Sequence, residues 1–238
     1  MASERASTPR DRYREQTRGE IKAIALRQLA EGGAQAVALT RIAKEVGLSG
    51  PALYRYFAGR DDLLSSLIRD AYDDAAAAVG RAGARLPGSP RAGLHALADA
   101  YLGWAAAEPQ RYLLIQGSPV PGYSAPPDTL DRARAVMGPF TEVFARGEPR
   151  DAVRPVVAET AEWLRTDESA AAWIRDRTGL SSGDDRAATA LAGTVLAWSA
   201  LHGTVSLAVT GQYAGMGHRT ETLLRAQTDA LADAFGLG

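Results

Sequence analysis

The chain has 238 residues, 46% hydrophobic and 23% charged, a globular balance with enough length for one large domain or a small one plus a larger one. It has no cysteine, which excludes disulfides and thiolate metal sites, and its opening residues lack the apolar core of a signal peptide. The net charge of −1 hides an asymmetry: residues 1–60 carry eleven Lys/Arg against six Asp/Glu, a balance of +5, and the remainder carries sixteen against twenty-two, a balance of −6.

A basic end on an acidic body points to a polyanion partner for that end alone, although a basic unstructured tail would give the same count. No run of about 18 apolar residues occurs, so a spanning helix and a membrane partner are not expected. A soluble chain in the cytoplasm is the expectation.

In chain order, residues 1–12 read as a disordered basic tail. From about Tyr13 to Glu31 the residues Ile21, Ile24, Ala25 and Leu29 recur at helical steps, and Gly32-Gly33 closes the pattern. A short helix at about Leu39–Val46 places Ile42, Ala43 and Val46 on one face, and Gly47 breaks it. Ser49 then offers an N-cap to a second short helix with Pro51 in its first turn and Leu53 and Phe57 as its apolar side. A long helix starts near Arg60, with Asp61 and Asp62 suiting its positive end, and runs toward Arg85. "LPGSP" (86–90) is a loop, as is "GSPVPGYSAPP" (117–127). Between and beyond them helices are predicted at about Ala92–Glu108, after Pro109, at 128–146, across 151–178, from "SSGDD" (181–185) to about Tyr213, and at Glu221–Phe235. No alternating strand pattern occurs. The fold class is therefore all-α, with nine or ten helices.

Three short helices with a sharp Gly turn between the second and third have the layout of a helix-turn-helix, whose second member enters the DNA major groove. If Leu53 and Phe57 point inward, then Gly50, Ala52, Tyr54, Arg55 and Tyr56 lie largely outside. Small residues at the start let the backbone approach base edges, and Tyr hydroxyls and Arg guanidinium groups suit phosphates. Arg60, at the next helix start, could share a phosphate with backbone N–H groups. Read alone, "ALYRYF" serves equally as an amphipathic helix docked by its rings.

"LTRIAKEVGLSGPALYRYFAGRDDLL" (39–64) closely resembles the DNA-binding segment of TetR-family transcriptional regulators. The shared pattern is I-A in a short helix, a Gly turn, a small, Pro-rich start to the recognition helix, L-Y-x-[HY]-F, then a basic residue and Leu. Ile42, Ala43, Gly47, Ser49, Leu53, Tyr54, Tyr56, Phe57, Arg60 and Leu64 carry it. The family commonly has Ser or Thr capping the second helix, where this chain has Ala38; Thr40 is the residue expected to take over that phosphate contact. The resemblance implies DNA contacts from Thr40, Ser49, Gly50, Pro51, Ala52, Tyr54, Arg55, Tyr56 and Arg60. It also implies an N-terminal three-helix domain over 13–60 and a regulatory and dimerisation domain over 61–238.

"PQRYLLIQGSPVPGY" and "WSALHGTVSL" look similar to a subgroup with a Trp-x-x-x-His-Gly stretch in its penultimate helix. The resemblance places a ligand inside the second domain and pairs its last two helices with a second subunit. Candidate pocket residues are Tyr101, Trp104, Tyr112, Phe140, Phe144, Trp163, Trp198 and His202; aromatic residues at helical spacing are equally core, and a satisfied core histidine is the default for His202. Candidate dimer residues are Leu191, Val195, Gly203, Leu224, Leu231 and Phe235. With three His and no Cys, neither a metal nor another cofactor is expected.

The leading reading is a dimeric, ligand-responsive repressor on a palindromic DNA operator, released by a small hydrophobic molecule. A constitutive DNA-binding regulator without ligand differs from it only in lacking a real cavity. An all-α enzyme is the third reading, but no Walker loop, G-x-S-x-G or H-E-x-x-H occurs, and "GGAQAVA" and "AGMGH" lack a strand-turn-helix context.

Overall fold

The computed structural model describes residues 8–85, 88–117 and 122–238. These residues hold helices and no strand, in two compact units: a head of residues 8–70 with 122–126, and a body of 71–117 and 127–238. The unit boundary thus falls inside the fourth helix, beyond the expected break at 60/61.

The head opens on α1 (Pro9–Gly32), a 3-10 turn (Ala34–Ala36), α2 (Leu39–Val46) and α3 (Gly50–Leu53). α1 begins earlier than its apolar pattern, because Thr8 and Asp11 form a capping box and Pro9 needs no N–H at the first helical position. Residues 9–12, expected in the tail, are therefore helical; residues 1–7 lie outside the described ones. α1 buries Thr17, Ile21, Ile24, Ala25, Gln28 and Leu29. α4 (Arg60–Gly83) contributes Leu63, Leu64 and Leu67 to the core, and its Asp70 carboxylate lies 2.8 Å from Lys22 Nζ of α1. Ser65 and Tyr123 share a hydroxyl hydrogen bond of 2.9 Å. Leu86, Pro87 and residues 118–121 of the two predicted loops lie outside the described residues.

The body adds α5 (Pro90–Ala107), α6 (Pro109–Gln116), α7 (Thr129–Phe144), α8 (Arg154–Thr166), α9 (Glu168–Thr178), α10 (Asp185–Val209) and α11 (Thr220–Ala234) to the rest of α4. The span 151–178, predicted as one helical stretch, is a 3-10 turn and two helices. Asp167 divides it: it takes an extended backbone and caps α9, its carboxylate accepting the Ala170 N–H at 3.0 Å.

α10 is the centre of the body and packs on α5, α6, α7, α8, α9 and α11. By length and composition it could cross a bilayer. Its apolar character has a simpler cause, because Leu191, Ala197, Leu201 and Val205 are buried in the core. Small residues let neighbours come close: a Cβ on Gly193 would overlap the Phe144 ring of α7. Phe144 in turn packs edge-on against Phe235, with centroids 5.0 Å apart. The end of α11 is tied to α5 through Arg91, which donates to Leu237 O at 3.2 Å and pairs with Asp229 and Asp233.

Gly193→Ala is expected to destabilise the chain by about 1–3 kcal/mol, the usual cost of overpacking a rigid core. Urea unfolding measures it; an unchanged midpoint would show that Phe144 has room to move.

Candidate DNA interface and effector cavity

The turn between α2 and α3 is built by one glycine. Gly47 adopts φ 77°, a left-handed conformation that side chains resist. From there Leu48 N–H reaches Ala43 O at 2.8 Å and Gly47 N–H reaches Lys44 O at 3.3 Å, the paired bonds of a Schellman cap. The chain then turns extended at Ser49, whose Oγ accepts the Ala52 N–H at 3.3 Å and opens α3 with Pro51 in its first turn. α3 is one short helical segment continued by turn residues to Tyr56. Leu53 and Phe57 are buried, as the spacing predicts.

The opposite face is open. Ser49, Gly50, Pro51, Tyr54 and Arg55 are exposed, Tyr54 at 57%, while Ala52 and Tyr56 are half-covered. A docked amphipathic helix would hide its rings, so the exposure of Tyr54 favours an outward role. Arg18 of α1 fixes the far end of this segment: its Nη1 donates to Tyr56 O at 2.6 Å and its guanidinium sits 4.3 Å over the Phe57 ring.

At the start of α2, Ala38 has no side chain to cap with. Its own N–H donates instead to Gln28 Oε1 at 2.8 Å, from a residue buried in α1. Thr40 is exposed beside backbone N–H groups that have no intrahelical acceptor, an anion-seeking arrangement.

The cations differ from the sequence expectation. Arg60 is half-buried and donates Nη2 to Ala34 O at 2.6 Å, with Asp61 at 3.8 Å, so much of its capacity is spent within the head. Lys22, Arg27 and Arg41 pair with Asp70, Glu45 and Glu31. Exposed Lys44 and Arg55, like Arg10, Arg12 and Arg14 at the start of α1, have no ion pair among the described residues. Sequence reasoning missed Gln28 and Arg18. The signal for Gln28 was present, an amide at a position where α1 repeats apolar residues.

The body contains a solvent-open cavity of about 460 Å³. Its walls are Tyr72 of α4, Gln116, Leu130, Ala133, Arg134 and Met137 of α6 and α7, Trp163, Asp167, Ala170 and Trp173 of α8 and α9, and Leu191, Thr194, Val195 and Trp198 of α10. Three of the four tryptophans of the chain thus converge on one space, a density that random core placement does not require. Leu130, Trp163 and Val195 are exposed apolar side chains at it. Two polar groups are fixed there. Asp167 Oδ2 accepts the Trp163 indole N–H at 3.1 Å; that bond and, more strongly, the Ala170 N–H hold its carboxyl below the usual range, so it is anionic. Arg134 donates Nη1 to Ser169 Oγ at 2.8 Å and lies 5.8 Å from the Trp173 ring centroid.

Of the expected pocket residues, only Trp163 and Trp198 line this cavity. Phe140 and Phe144 are fully buried core residues, filling space between helices where the sequence pattern could not separate core from cavity. Tyr101, Trp104, Tyr112 and His202 form an aromatic cluster that reaches Trp198, whose centroid is 5.8 Å from that of Tyr101. Burial raises the Tyr101 hydroxyl pKa and pushes that of Tyr112 up to about 12, so both stay protonated at neutral pH. His202 is half-buried and not a core residue, and its Nδ1 meets Tyr112 Oη at 3.2 Å. Tyr72 and Arg134, which were not among the candidates, also line the cavity, as does Trp173.

Three expected dimer residues are also corrected. Leu191, Leu224 and Phe235 are buried within the chain itself, where their own neighbours cover them. Leu231 is half-covered, whereas Val195 and Gly203 are exposed.

A left-handed glycine turn, an exposed short helix opening on small residues, and a separate helical body define a helix-turn-helix DNA-binding regulator. The model of bacterial regulatory proteins of the tetR family matches residues 21–67, and that of the tetracyclin repressor-like C-terminal domain matches residues 94–231. The HTH-type transcriptional regulators Rv1816 of Mycobacterium tuberculosis (strain ATCC 25618 / H37Rv) and Mb1846 of Mycobacterium bovis (strain ATCC BAA-935 / AF2122/97) are each 38% identical over 202 residues, 84% of this chain and 83% of theirs. The crystal structure of the regulatory protein SCO4313 is 41% identical with a TM-score of 0.76, over 95% of this chain and 100% of that one. The fold is also that of the TetR-family regulator PfmR from Thermus thermophilus, at 17% identity and a TM-score of 0.55, over 90% of this chain and 97% of that one. The chain belongs to the TetR family of bacterial transcriptional regulators; it is a DNA-binding protein and not an enzyme.

The two arginines of the interface separate in experiment. Arg55→Ala is expected to leave the melting temperature unchanged and to reduce the slope of log K against log salt by about 1 per subunit. Arg60→Ala is expected to lower the melting temperature by a few degrees, following the loss of a hydrogen bond worth about 1 kcal/mol. Equal melting temperatures for wild type and Arg60→Ala would return Arg60 to a purely DNA-facing role.

Proposed function

We propose that the chain acts in the cytoplasm as a homodimeric repressor, released from a two-fold symmetric operator when a small hydrophobic molecule enters the body. The observation that carries this reading is the tryptophan-lined cavity of about 460 Å³, within the range of small-molecule sites, whose wall includes Tyr72 of α4. α4 is continuous from the head core residues Leu63, Leu64 and Leu67 to Tyr72. A ligand that favours one placement of Tyr72 biases the helix that carries the head. It shifts DNA binding only by the difference in its affinity for the two states.

Within the head, Gly50 and Ala52 approach base edges and allow backbone proximity or a thymine methyl contact. Tyr54, Arg55 and Tyr56, with Thr40, Ser49, Pro51 and part of Arg60, contact phosphates. Two such heads read half-sites about one helical turn apart, roughly 34–36 Å, or a multiple of it.

Dimerisation is assigned to the open side of α10. Val195, Ser199, Gly203 and Leu207 are exposed at four-residue steps, and Leu207 and Val195 are apolar. A Cβ on Gly203 would meet nothing of its own chain within 4 Å. Intrachain packing therefore gives no reason for glycine there, at a helix cost of about 1 kcal/mol against alanine. Close approach of a second α10 gives one.

Gly203→Leu is expected to yield a monomer with unchanged helical content and lost operator binding, read by sedimentation and circular dichroism. A mutant that remains dimeric and binds operator sinks the assignment. For the ligand, a library of apolar compounds is screened by tryptophan fluorescence and thermal shift. Hits are expected to release the operator and to lose their effect in Trp173→Ala; a cavity that takes no compound, or compounds that bind without release, would favour a constitutive regulator.

A further inference from the structure

The first two turns of α1 stand clear of the head core. Residues 8–16 are all exposed, and the first buried residue is Thr17. A helical segment without a packed face is marginal in water; this one is held by the capping box, in which Thr8 Oγ1 accepts the Asp11 N–H at 3.2 Å. It carries Arg10, Arg12 and Arg14, none of which has an ion pair among the described residues.

Helix geometry gives these arginines direction. The buried stripe of α1 runs Gln28, Ile24, Ile21, Thr17 toward the N-terminus. Continued outward at the same three- and four-residue steps it passes through Arg14 and then Arg10, so the side of the helix that is apolar inside the head becomes cationic where it leaves it. Arg12 falls on the opposite side, at about 100° per residue. Glu15 lies off the stripe, whereas Asp11, five turns from buried Leu29, lies at its edge; its carboxylate is taken by the Thr8 hydroxyl at 2.7 Å and also feels the Arg10 and Arg14 charges, which it offsets in part. One turn further in, Arg18 touches Tyr56 O, at the end of the recognition segment. From Arg18 to Arg10 the helix rises about 12 Å, at about 1.5 Å per residue.

We propose that Arg10 and Arg14 contact phosphates of the duplex just outside the sequence read by α3. They would lengthen the footprint by about three or four base pairs per half-site, given the roughly 3.4 Å spacing along each strand. The inference rests on the placement of α3 in the groove proposed above. The charge is complementary to DNA, and the overhang continues the interface at its Tyr56 end. These contacts add affinity and salt dependence and carry no sequence information.

The test uses the full chain and a duplex that it selects from a random-sequence pool, with flanks of about one helical turn. Arg10→Ala/Arg14→Ala, Arg10→Lys/Arg14→Lys, Arg12→Ala and Arg55→Ala are titrated across a series of salt concentrations and footprinted with hydroxyl radicals. The double alanine variant is expected to lower the log K against log salt slope by about 2 per subunit and to lose the outermost protected positions. The double lysine variant should keep both, and Arg12→Ala should match wild type. A double alanine variant with unchanged slope and footprint overturns the inference. An equal fall in Arg12→Ala, or no recovery with lysine, overturns it as well, because the effect would then be diffuse attraction or altered helix. If Arg55→Ala lowers the slope and the double variant does not, the inference fails alone; if neither does, the groove placement fails with it.

Discussion

Everything on the DNA-facing side depends on one backbone conformation. Gly47 at positive φ ends α2, sends Leu48 back to the carbonyl of Ala43, and delivers Ser49 extended so that its hydroxyl can start α3. A Cβ at that position costs roughly 1 kcal/mol or more in the left-handed region. A relaxed turn would change the crossing of α2 and α3 and hence which residues stand proud. The rest of the head supports that turn. Ile42, Ala43, Leu53 and Phe57 fill the space beneath it, Gln28 takes the N–H that Ala38 leaves at the start of α2, and Arg18 holds the last carbonyl at Tyr56.

Charge in the head is organised more tightly than its net balance implies. Five of its basic side chains, Arg18, Lys22, Arg27, Arg41 and Arg60, are committed to carboxylates or carbonyls of the head itself. An ion pair on a surface contributes little stability, about 0–1 kcal/mol. Its consequence here is selective: it removes Lys22, Arg27 and Arg41 as free cations and leaves Lys44, Arg55 and the outer arginines of α1. The electrostatic surface is set by which cations lack partners, not by how many there are.

The body is built on a different constraint, the close packing of a long, small-residue helix. Alanines and Gly193 on α10 let α7 approach until Phe144 touches the helix backbone. On another face of the same stretch of α10, Leu191, Thr194, Val195 and Trp198 line the cavity together with the Trp163 and Trp173 rings. One helix thus supplies a solid core and a hollow region. Asp167 ends α8, caps α9 and orders the Trp163 indole, so the cavity wall is fixed by local capping as well as by burial.

The all-α class, the helix order and the Gly47–Ser49 turn were legible in the sequence because each follows from local spacing, capping residues or a single glycine. So were the inward places of Leu53 and Phe57. The start of α1 was not, since Thr8, Pro9 and Asp11 form a cap without any apolar pattern to announce it. Nor was the division of aromatic residues: Phe140 and Trp163 both sit on helices, and only the packing decides that the first is enclosed and the second faces a cavity. Leu191, Leu224 and Phe235 belong to stripes wide enough to serve a neighbour chain, yet their own chain consumes them. Spacing along a helix fixes which side chains share a face, through the rotation per residue; what that face meets depends on residues far away in sequence, and only the tertiary structure brings those to it.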